Sequence, residues 1–225
     1  MNKQKFYVAY ANNISSASYD NFIKNVLSNY DVEILDLKNP KKFPDLIIFT
    51  GGEDVDPSKY GENKGKHTFC NEKRDKEEEK IFYNFAGTPK LGVCRGAQIL
   101  TVLSGGGLIQ HVENHTNCNH SISFLNEFKG LEIELPSTHH QMMYPYSLRK
   151  ENYELIAYST YFRSGVYLDG KNEQKKLKND FLEPEIVFYP SYNSLAIQAH
   201  PELVSCDTTA FNTIKSLILN KIIKK

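Results

Sequence analysis

The sequence predicts an α/β protein in which a mainly parallel sheet carries helices on both faces. In the first half of the 225-residue chain, short apolar runs alternate with segments of helical periodicity, which is the pattern of a parallel sheet with crossover helices. The second half is a succession of strand-like segments, which predicts antiparallel strands added to that sheet.

The elements of the first half follow from apolar spacing and from turn residues. In chain order they are a strand over 6–10, a helix over 16–30, strands over 32–37 and 45–50, a helix ending near Phe85, a strand over 90–93 and a helix over 98–103. The elements of the second half are strands over 121–125, 131–135, 154–159, 185–189 and 194–200, then a helix over 207–222. The turn over 190–193 predicts that the last two strands form a hairpin.

Two charged stretches are expected at the surface. Asp75 is the expected N-cap of the helix ending near Phe85, with Glu78 three residues on as a variant capping box. The mixed charges over 73–80 are most simply a solvated face. The lysine- and asparagine-rich stretch 170–180 is expected to be an exposed insertion.

Composition excludes several function classes. Lysine plus arginine and aspartate plus glutamate each number 27, so the formal net charge is zero, and we expect no nucleic-acid partner. We find no apolar run of the ~20 residues that a membrane span needs and no signal peptide, so we expect a cytoplasmic protein with no membrane partner. The four cysteines are widely spaced and suggest no disulfide framework. The chain is predicted to be a single domain over 1–225.

The segment Gly92-Val93-Cys94-Arg95-Gly96 is typical of a nucleophile on a sharp strand-to-helix turn. Glycines on either side allow the tight turn and a close approach of the backbone. A cysteine attacks as the thiolate, so it needs a base nearby. Without that setting, a cysteine in an apolar segment is most often a small core residue.

The best candidate base is His200, at the end of an apolar strand and followed by Pro201 and Glu202. The carboxylate of Glu202 can accept the second ring N–H of the histidine and so fix its tautomer. Cys94, His200 and Glu202 are therefore the predicted nucleophile, base and orienting group. The alternative is that His200 is an ordinary surface or capping residue.

These segments resemble the two signatures of class I glutamine amidotransferases. The runs 49–57 and 60–62, with Arg74-Asp75 and the run Ser137-Thr138-His139-His140-Gln141, resemble the γ-glutamyl hydrolase branch of that family, which includes γ-glutamyl-γ-aminobutyrate hydrolases. The resemblance spans residues from about 5 to 205. It implies a flavodoxin-like three-layer sandwich and no cofactor.

The resemblance also implies roles at the site. Cys94 would attack the γ-amide of a γ-glutamyl compound or of glutamine, and water would hydrolyse the resulting thioester. Backbone N–H groups of Gly52 and Arg95 would form the oxyanion hole. The glutamyl end would be held by the remaining residues of the site, which are Gly51, Gln98, Ser137, Thr138 and His139.

Two alternative functions remain open. The chain could be a glutaminase subunit that passes ammonia to a separate synthetase partner, or a non-catalytic binding module on the same fold. The stretch 161–182 is longer than the usual connection in the family and leaves the leaving amine undefined. His111, His115, Cys118 and His120 could suggest zinc, but their spacing does not fit a finger pattern, so we expect no metal.

Overall fold

A computed structural model describes residues 3–12, 15–38, 42–125 and 128–223. It contains four α-helices, namely α1 (Ala17–Val26), α2 (Glu72–Asn84), α3 (Arg95–Leu103) and α4 (Thr209–Ile218). The strands are β1 (Lys5–Tyr10), β2 (Asp31–Leu35), β3 (Leu46–Phe49), β4 (Lys90–Val93), β5 (Gly107–Ile109), β6 (His111–Val112), β7 (Cys118–Phe124), β8 (Glu132–Ser137), β9 (Met142–Tyr144), β10 (Glu154–Ser159), β11 (Tyr167–Leu168), β12 (Pro184–Tyr189) and β13 (Ser194–Ile197).

Nine of these strands form the central sheet, in the order β2-β1-β3-β4-β13-β12-β10-β7-β8. The pairs from β2 to β13 are parallel, and those from β13 to β8 are antiparallel. The order of the parallel part is the flavodoxin-like order. The predicted fold class is therefore confirmed, including the hairpin between β12 and β13.

Helices cover both faces of the parallel part. On one face, α1 and α4 bury side chains such as Phe22 and Phe211 in the larger core cluster. On the other, α2 and α3 bury Phe82 and Ile99 in a second cluster. Each fully buried side chain of this size contributes about 1.5–3 kcal/mol, so both clusters hold the sheet rigidly between the helix layers.

The start of α2 differs from the prediction. The N-cap is Asn71, whose side chain accepts the Arg74 backbone N–H at 3.2 Å. Asp75 and Glu78 lie inside the helix and are fully buried, because Arg95 supplies a cation for both. The predicted cap at Asp75 is therefore wrong, and 73–80 is not a wholly solvated face.

The stretch 170–180 is mostly exposed, as predicted, but it is tied to the body of the protein. Lys175 pairs with Glu62, and the Gly170 backbone N–H donates to the Glu62 carboxylate at 3.1 Å. Phe181, just beyond the stretch, is buried in a small aromatic cluster. In the described ranges, no helix combines the length and apolar character that crossing a bilayer requires.

Candidate functional site

Three neighbouring parallel strands deliver the predicted site to one edge of the sheet. Gly51 follows the end of β3, Cys94 follows β4, and His200 lies three residues beyond β13. These strands are adjacent in the sheet, and the carboxyl ends of parallel strands are the usual location of ligands in this architecture.

Cys94 has the backbone of a nucleophile elbow. Its φ of 53° and ψ of −111° are unusual for a residue with a side chain. Its N–H donates to the Ile197 carbonyl at 2.8 Å, which fixes the turn to β13. A Cβ on Gly96 would overlap the Phe49 carbonyl oxygen, so this position accepts only glycine. Gly96 thus packs closely against β3, whereas a Cβ on Gly92 would overlap the Gly96 carbonyl in α3.

His200 and Glu202 form a largely buried pair beside the cysteine. His200 Nδ1 lies 2.7 Å from Glu202 Oε1. The His200 backbone N–H donates to the Pro136 carbonyl at 2.8 Å. A Cβ on Gly51 would lie 3.5 Å from His200 Cε1 and 3.8 Å from Cys94 Cβ. The imidazole and the thiol therefore converge at the turn after β3.

The surroundings of His200 favour its charged form. Burial acts to lower its pKa, but interactions with Cys94 and Glu202 outweigh burial and raise the pKa from 6.5 to about 10. Nε2, the nitrogen not facing Glu202, is buried without a fixed hydrogen-bond partner. That atom is the one available to exchange a proton with the thiol or with a leaving group.

The side chain of Arg74 fixes the orientation of the peptide unit between Gly51 and Gly52. Arg74 Nη2 donates to the carbonyls of Thr50 and Gly51, each at 3.0 Å. In a trans peptide the C=O and N–H point in opposite directions, so the Gly52 N–H is directed away from Arg74. No protein group within the described ranges accepts a hydrogen bond from this N–H, nor from the Arg95 N–H at the start of α3.

The Arg95 side chain turns away from the thiol into a buried ion-pair network. Its guanidinium contacts Asp75 and Glu78, and Nε donates to the Glu53 carbonyl at 3.2 Å. Arg74 joins the network through Glu78 Oε1 at 2.9 Å. Burial raises the pKa of Asp75. Burial, together with the nearby positive charge of Arg74, lowers the pKa of Arg95 from 12.5 to about 10. The network ties α2, the elbow and the loop after β3 into one unit.

A cavity of about 220 Å³ opens beside Cys94. Six of the predicted residues line it, and the structure adds five more. The predicted ones are Gly52, Cys94, Arg95, Gln98, Thr138 and His139, and the additional ones are Glu53, Asp54, Phe69, His140 and Gln141.

Two predicted substrate residues do not line this cavity. The Ser137 hydroxyl donates to the His115 carbonyl at 2.8 Å, and Ser137 lines a separate depression that His200 also lines. The Gly51 N–H donates to the Tyr19 hydroxyl at 3.0 Å. Both groups are engaged in holding local structure.

The loop after β8 lines the cavity with paired and unpaired polar groups. Gln98 Nε2 donates to the Gln141 carbonyl at 3.0 Å, and the Gln141 Oε1 atom is buried without a partner. Burial lowers the pKa of His139 well below 6.5, and neighbouring histidines lower it further, so its ring is neutral. Gln141 is part of the motif noted in the sequence, but its side chain gave no separate signal there.

One group of side chains has the composition of a metal site. His115, His120 and Glu185 are buried, and their ligand atoms lie within 4.8 Å of one another. His111 and Cys118 are not part of it. His111 stacks on His67 with ring centroids 4.1 Å apart, and Cys118 Sγ lies 3.5 Å from the Asn114 carbonyl.

Fold and site geometry together define an α/β protein with a cysteine elbow and a histidine–glutamate pair on adjacent strand ends. Residues 38–147 match the family described as Peptidase C26, a segment that includes Cys94 and ends before His200. The chain is 28% identical over 189 residues to "Putative glutamine amidotransferase Rv2859c" of Mycobacterium tuberculosis, covering 75% of this chain and 54% of that protein.

Other matches agree with this class. "Putative glutamine amidotransferase-like protein YvdE" of Lactococcus lactis is 34% identical over 110 residues, covering 46% of this chain and 43% of that protein. The matches thus span about half the length of these curated relatives.

Two solved structures share the fold. They are a "putative gmp synthase subunit a protein" of Thermoplasma acidophilum (TM-score 0.60, 17% identity, 97% and 94% of the two chains) and PurLQS of Thermotoga maritima (0.59, 17%, 98% and 99%). The sequence matches thus relate part of this chain to the Peptidase C26 family and to proteins named as putative glutamine amidotransferases, and the two solved structures show a shared fold.

Proposed function

We propose that this protein is a cysteine-dependent hydrolase that opens the γ-amide bond of a γ-glutamyl compound and releases glutamate and an amine. The observation that carries the proposal is the convergence of the Cys94 elbow and the His200–Glu202 pair beside a cavity of about 220 Å³ with unengaged backbone N–H groups. The names of the matched family and relatives also support amide hydrolysis.

In the first step the Cys94 thiolate attacks the γ-carbonyl carbon, and a C–S bond forms as the carbonyl oxygen takes the negative charge. The N–H groups of Gly52 and Arg95 are the proposed donors to that oxygen, and one such donor is typically worth about 3 kcal/mol of barrier. The imidazolium of His200 then protonates the leaving amine through Nε2, and the C–N bond breaks to give a γ-glutamyl thioester.

In the second step neutral His200 takes a proton from water, and the hydroxide adds to the thioester carbonyl. The C–S bond breaks, glutamate leaves, and the thiolate–imidazolium pair is restored. Glu202 holds the ring orientation throughout and stabilises the imidazolium.

Polar residues of the cavity are suited to the amino-acid part of a glutamyl group. Gln98, Thr138 and His139 line the cavity, and the unpartnered Oε1 of Gln141 is an acceptor for an α-ammonium group. Phe69, which is 73% exposed, lies at the cavity wall and is placed to contact the leaving amine.

The experiment is a mass-spectrometric screen of γ-glutamyl amides that follows glutamate release by the purified chain. We expect turnover of at least one amide, lost in Cys94→Ala and retained in the matched control Cys206→Ala, whose thiol is exposed. Turnover by Cys94→Ala equal to that of the unmodified protein would refute the assignment of Cys94 as the nucleophile.

A second candidate is a glutaminase that supplies ammonia to a synthetase partner, because two structures of the same fold are named as a GMP synthase subunit and as PurLQS. Turnover of free glutamine that appears only when a candidate synthetase is added would favour this function over autonomous hydrolysis.

A further inference from the structure

Two glutamates and three histidines meet beneath the loop 137–141, away from solvent. His120 lies on β7 and Glu185 on β12, the two strands that flank β10, and His115 lies just before β7. All are at most 3% exposed, as are the other two members of the cluster, His139 and Glu183. Buried ionisable groups need a partner of opposite charge or a metal.

The two edges of the His115 ring face carboxylates. Nε2 lies 3.3 Å from Glu183 Oε2, and Nδ1 lies 3.8 Å from Glu185 Oε1. Neither nitrogen makes a hydrogen bond of normal geometry. A neutral imidazole has one N–H, so when Nε2–H points to Glu183, the Nδ1 lone pair faces a second acceptor. A cation between Nδ1 and Glu185 removes that repulsion.

Glu183 has the partners of a fixed anion. It accepts the backbone N–H groups of Arg163 and Ser164, each at 3.0 Å, and the Tyr167 hydroxyl at 2.8 Å. A fixed carboxylate on the far edge of a histidine is the usual device that orients a metal-binding imidazole and sets its tautomer. Glu183 is therefore placed to orient His115 rather than to coordinate through the same nitrogen.

The remaining atoms complete a small ligand set. His120 Nε2 lies 2.8 Å from Glu185 Oε1, and the three ligand atoms are within 4.8 Å of one another. Tetrahedral zinc has ligand bonds of about 2.0–2.2 Å, which places ligands roughly 3.3–3.6 Å apart. Small side-chain movements bring the observed distances to these values, and two imidazoles with a carboxylate are a donor set that suits zinc.

We propose that His115 Nδ1, His120 Nε2 and the Glu185 carboxylate bind a zinc ion, with Glu183 orienting His115. The site goes beyond the hydrolysis proposed above and does not depend on it. Its location gives it a structural role, because the His115 carbonyl accepts both the Ser137 hydroxyl at 2.8 Å and the His139 N–H at 3.1 Å. A metal that fixes His115 thereby fixes the loop that lines the Cys94 cavity.

The test uses the full chain carrying Cys94→Ala, which removes the thiol beside His200 as a competing metal site. The protein is produced in zinc-supplemented medium, desalted, and its metal content measured by mass spectrometry. We expect about one zinc per chain. After removal of zinc with a chelator, titration with Co²⁺ should give the visible absorption of tetrahedral cobalt without a sulfur charge-transfer band, since no ligand is a cysteine.

In the same background, Glu185→Gln and His120→Gln should weaken Co²⁺ binding by at least the 10–100-fold seen when an orienting partner is lost, and Glu183→Gln by 10–100-fold. The matched control is His111→Gln, which lies in the same stretch outside the cluster and should bind as the parent does. Zinc far below one per chain, together with no cobalt absorption in the parent, overturns the proposal. If a variant does not fold, the parent titration alone decides.

Discussion

Arg74 Nη2 donates a 3.0 Å hydrogen bond to the Gly51 carbonyl, and this single contact fixes the direction of the next N–H in the chain. The same guanidinium also bonds the Thr50 carbonyl, Glu53 and Glu78. An arginine fork can hold these four groups at once, whereas a lysine ammonium cannot match their geometry. Arg74 is therefore a positioning residue for the Gly52 N–H, although it does not line the cavity.

Replacing Arg74 by lysine tests that role. We expect Arg74→Lys to lower kcat about 10- to 100-fold with little change in KM, because a misdirected oxyanion donor weakens only transition-state binding. Steady-state kinetics on an amide from the screen gives both constants. Lys76→Ala is the control, since that side chain is 67% exposed on the same helix. A rise in KM alone would contradict the assignment.

Gly52 should tolerate no side chain. Its φ is +149°, and a Cβ there would overlap the Arg74 guanidinium. Gly52→Ala should therefore destabilise the protein by roughly 1–3 kcal/mol through backbone strain and lower kcat by displacing Arg74. Urea unfolding and kinetics measure the two effects. Gly87→Ala, where a Cβ meets nothing within 4 Å, should be nearly neutral, so equal losses in both variants would speak against the packing argument.

The protonation of His200 should depend on Cys94. Because the folded-state pKa is raised to about 10, the contribution of His200 to stability is complete below its unfolded pKa of about 6.5 and is lost as pH rises through 10. Cys94→Ala should lower the pKa of His200 and so narrow the pH range over which this stabilising contribution is lost. Nitrogen-detected NMR titration of the imidazole measures the shift, with Cys206→Ala as control. An unchanged pKa in Cys94→Ala would mean that Glu202 alone holds the charge.

Removing the central cation of the buried ion-pair network should lower the free energy of unfolding. Arg95→Leu leaves the buried carboxylates of Asp75 and Glu78 without their main partner, and breaking a buried pair in this way typically costs 3–5 kcal/mol. Because burial raises the pKa of Asp75, the loss should be smaller at pH 5 than at pH 8. Urea unfolding at both pH values checks this, with Lys76→Leu as control. A loss of stability that is the same at both pH values would indicate that Arg95 contributes through packing alone.

Local signals predicted the parts of the site that local geometry defines. The glycine bracket predicts the elbow because Gly96 packs against Phe49, and the strand ending at His200 predicts its place at the sheet edge. The buried roles of Asp75 and Glu78 were not predictable in this way. Their partner Arg95 lies 20 and 17 residues further on, and a charged run without its partner has the pattern of a solvated surface.

The proposed zinc site could not be assembled from the sequence for a similar reason. The spacing of His115 and His120 does not fit a finger pattern, so the local sequence carries no zinc signal. The third ligand, Glu185, is 65 residues from His120 and meets it only because β7 and β12 flank the same strand. Sheet order, rather than sequence spacing, brings these side chains together.

The strand ends that carry Gly51, Cys94 and His200 belong to the central, fully covered part of the sheet. Strands in such a position exchange their amide hydrogens only through global opening, whereas peripheral segments open locally. The strand ends that carry these three residues thus belong to the last cooperative unit to unfold. Heat inactivation should follow the unfolding curve of the whole molecule, with no temperature interval in which a folded but misassembled centre persists.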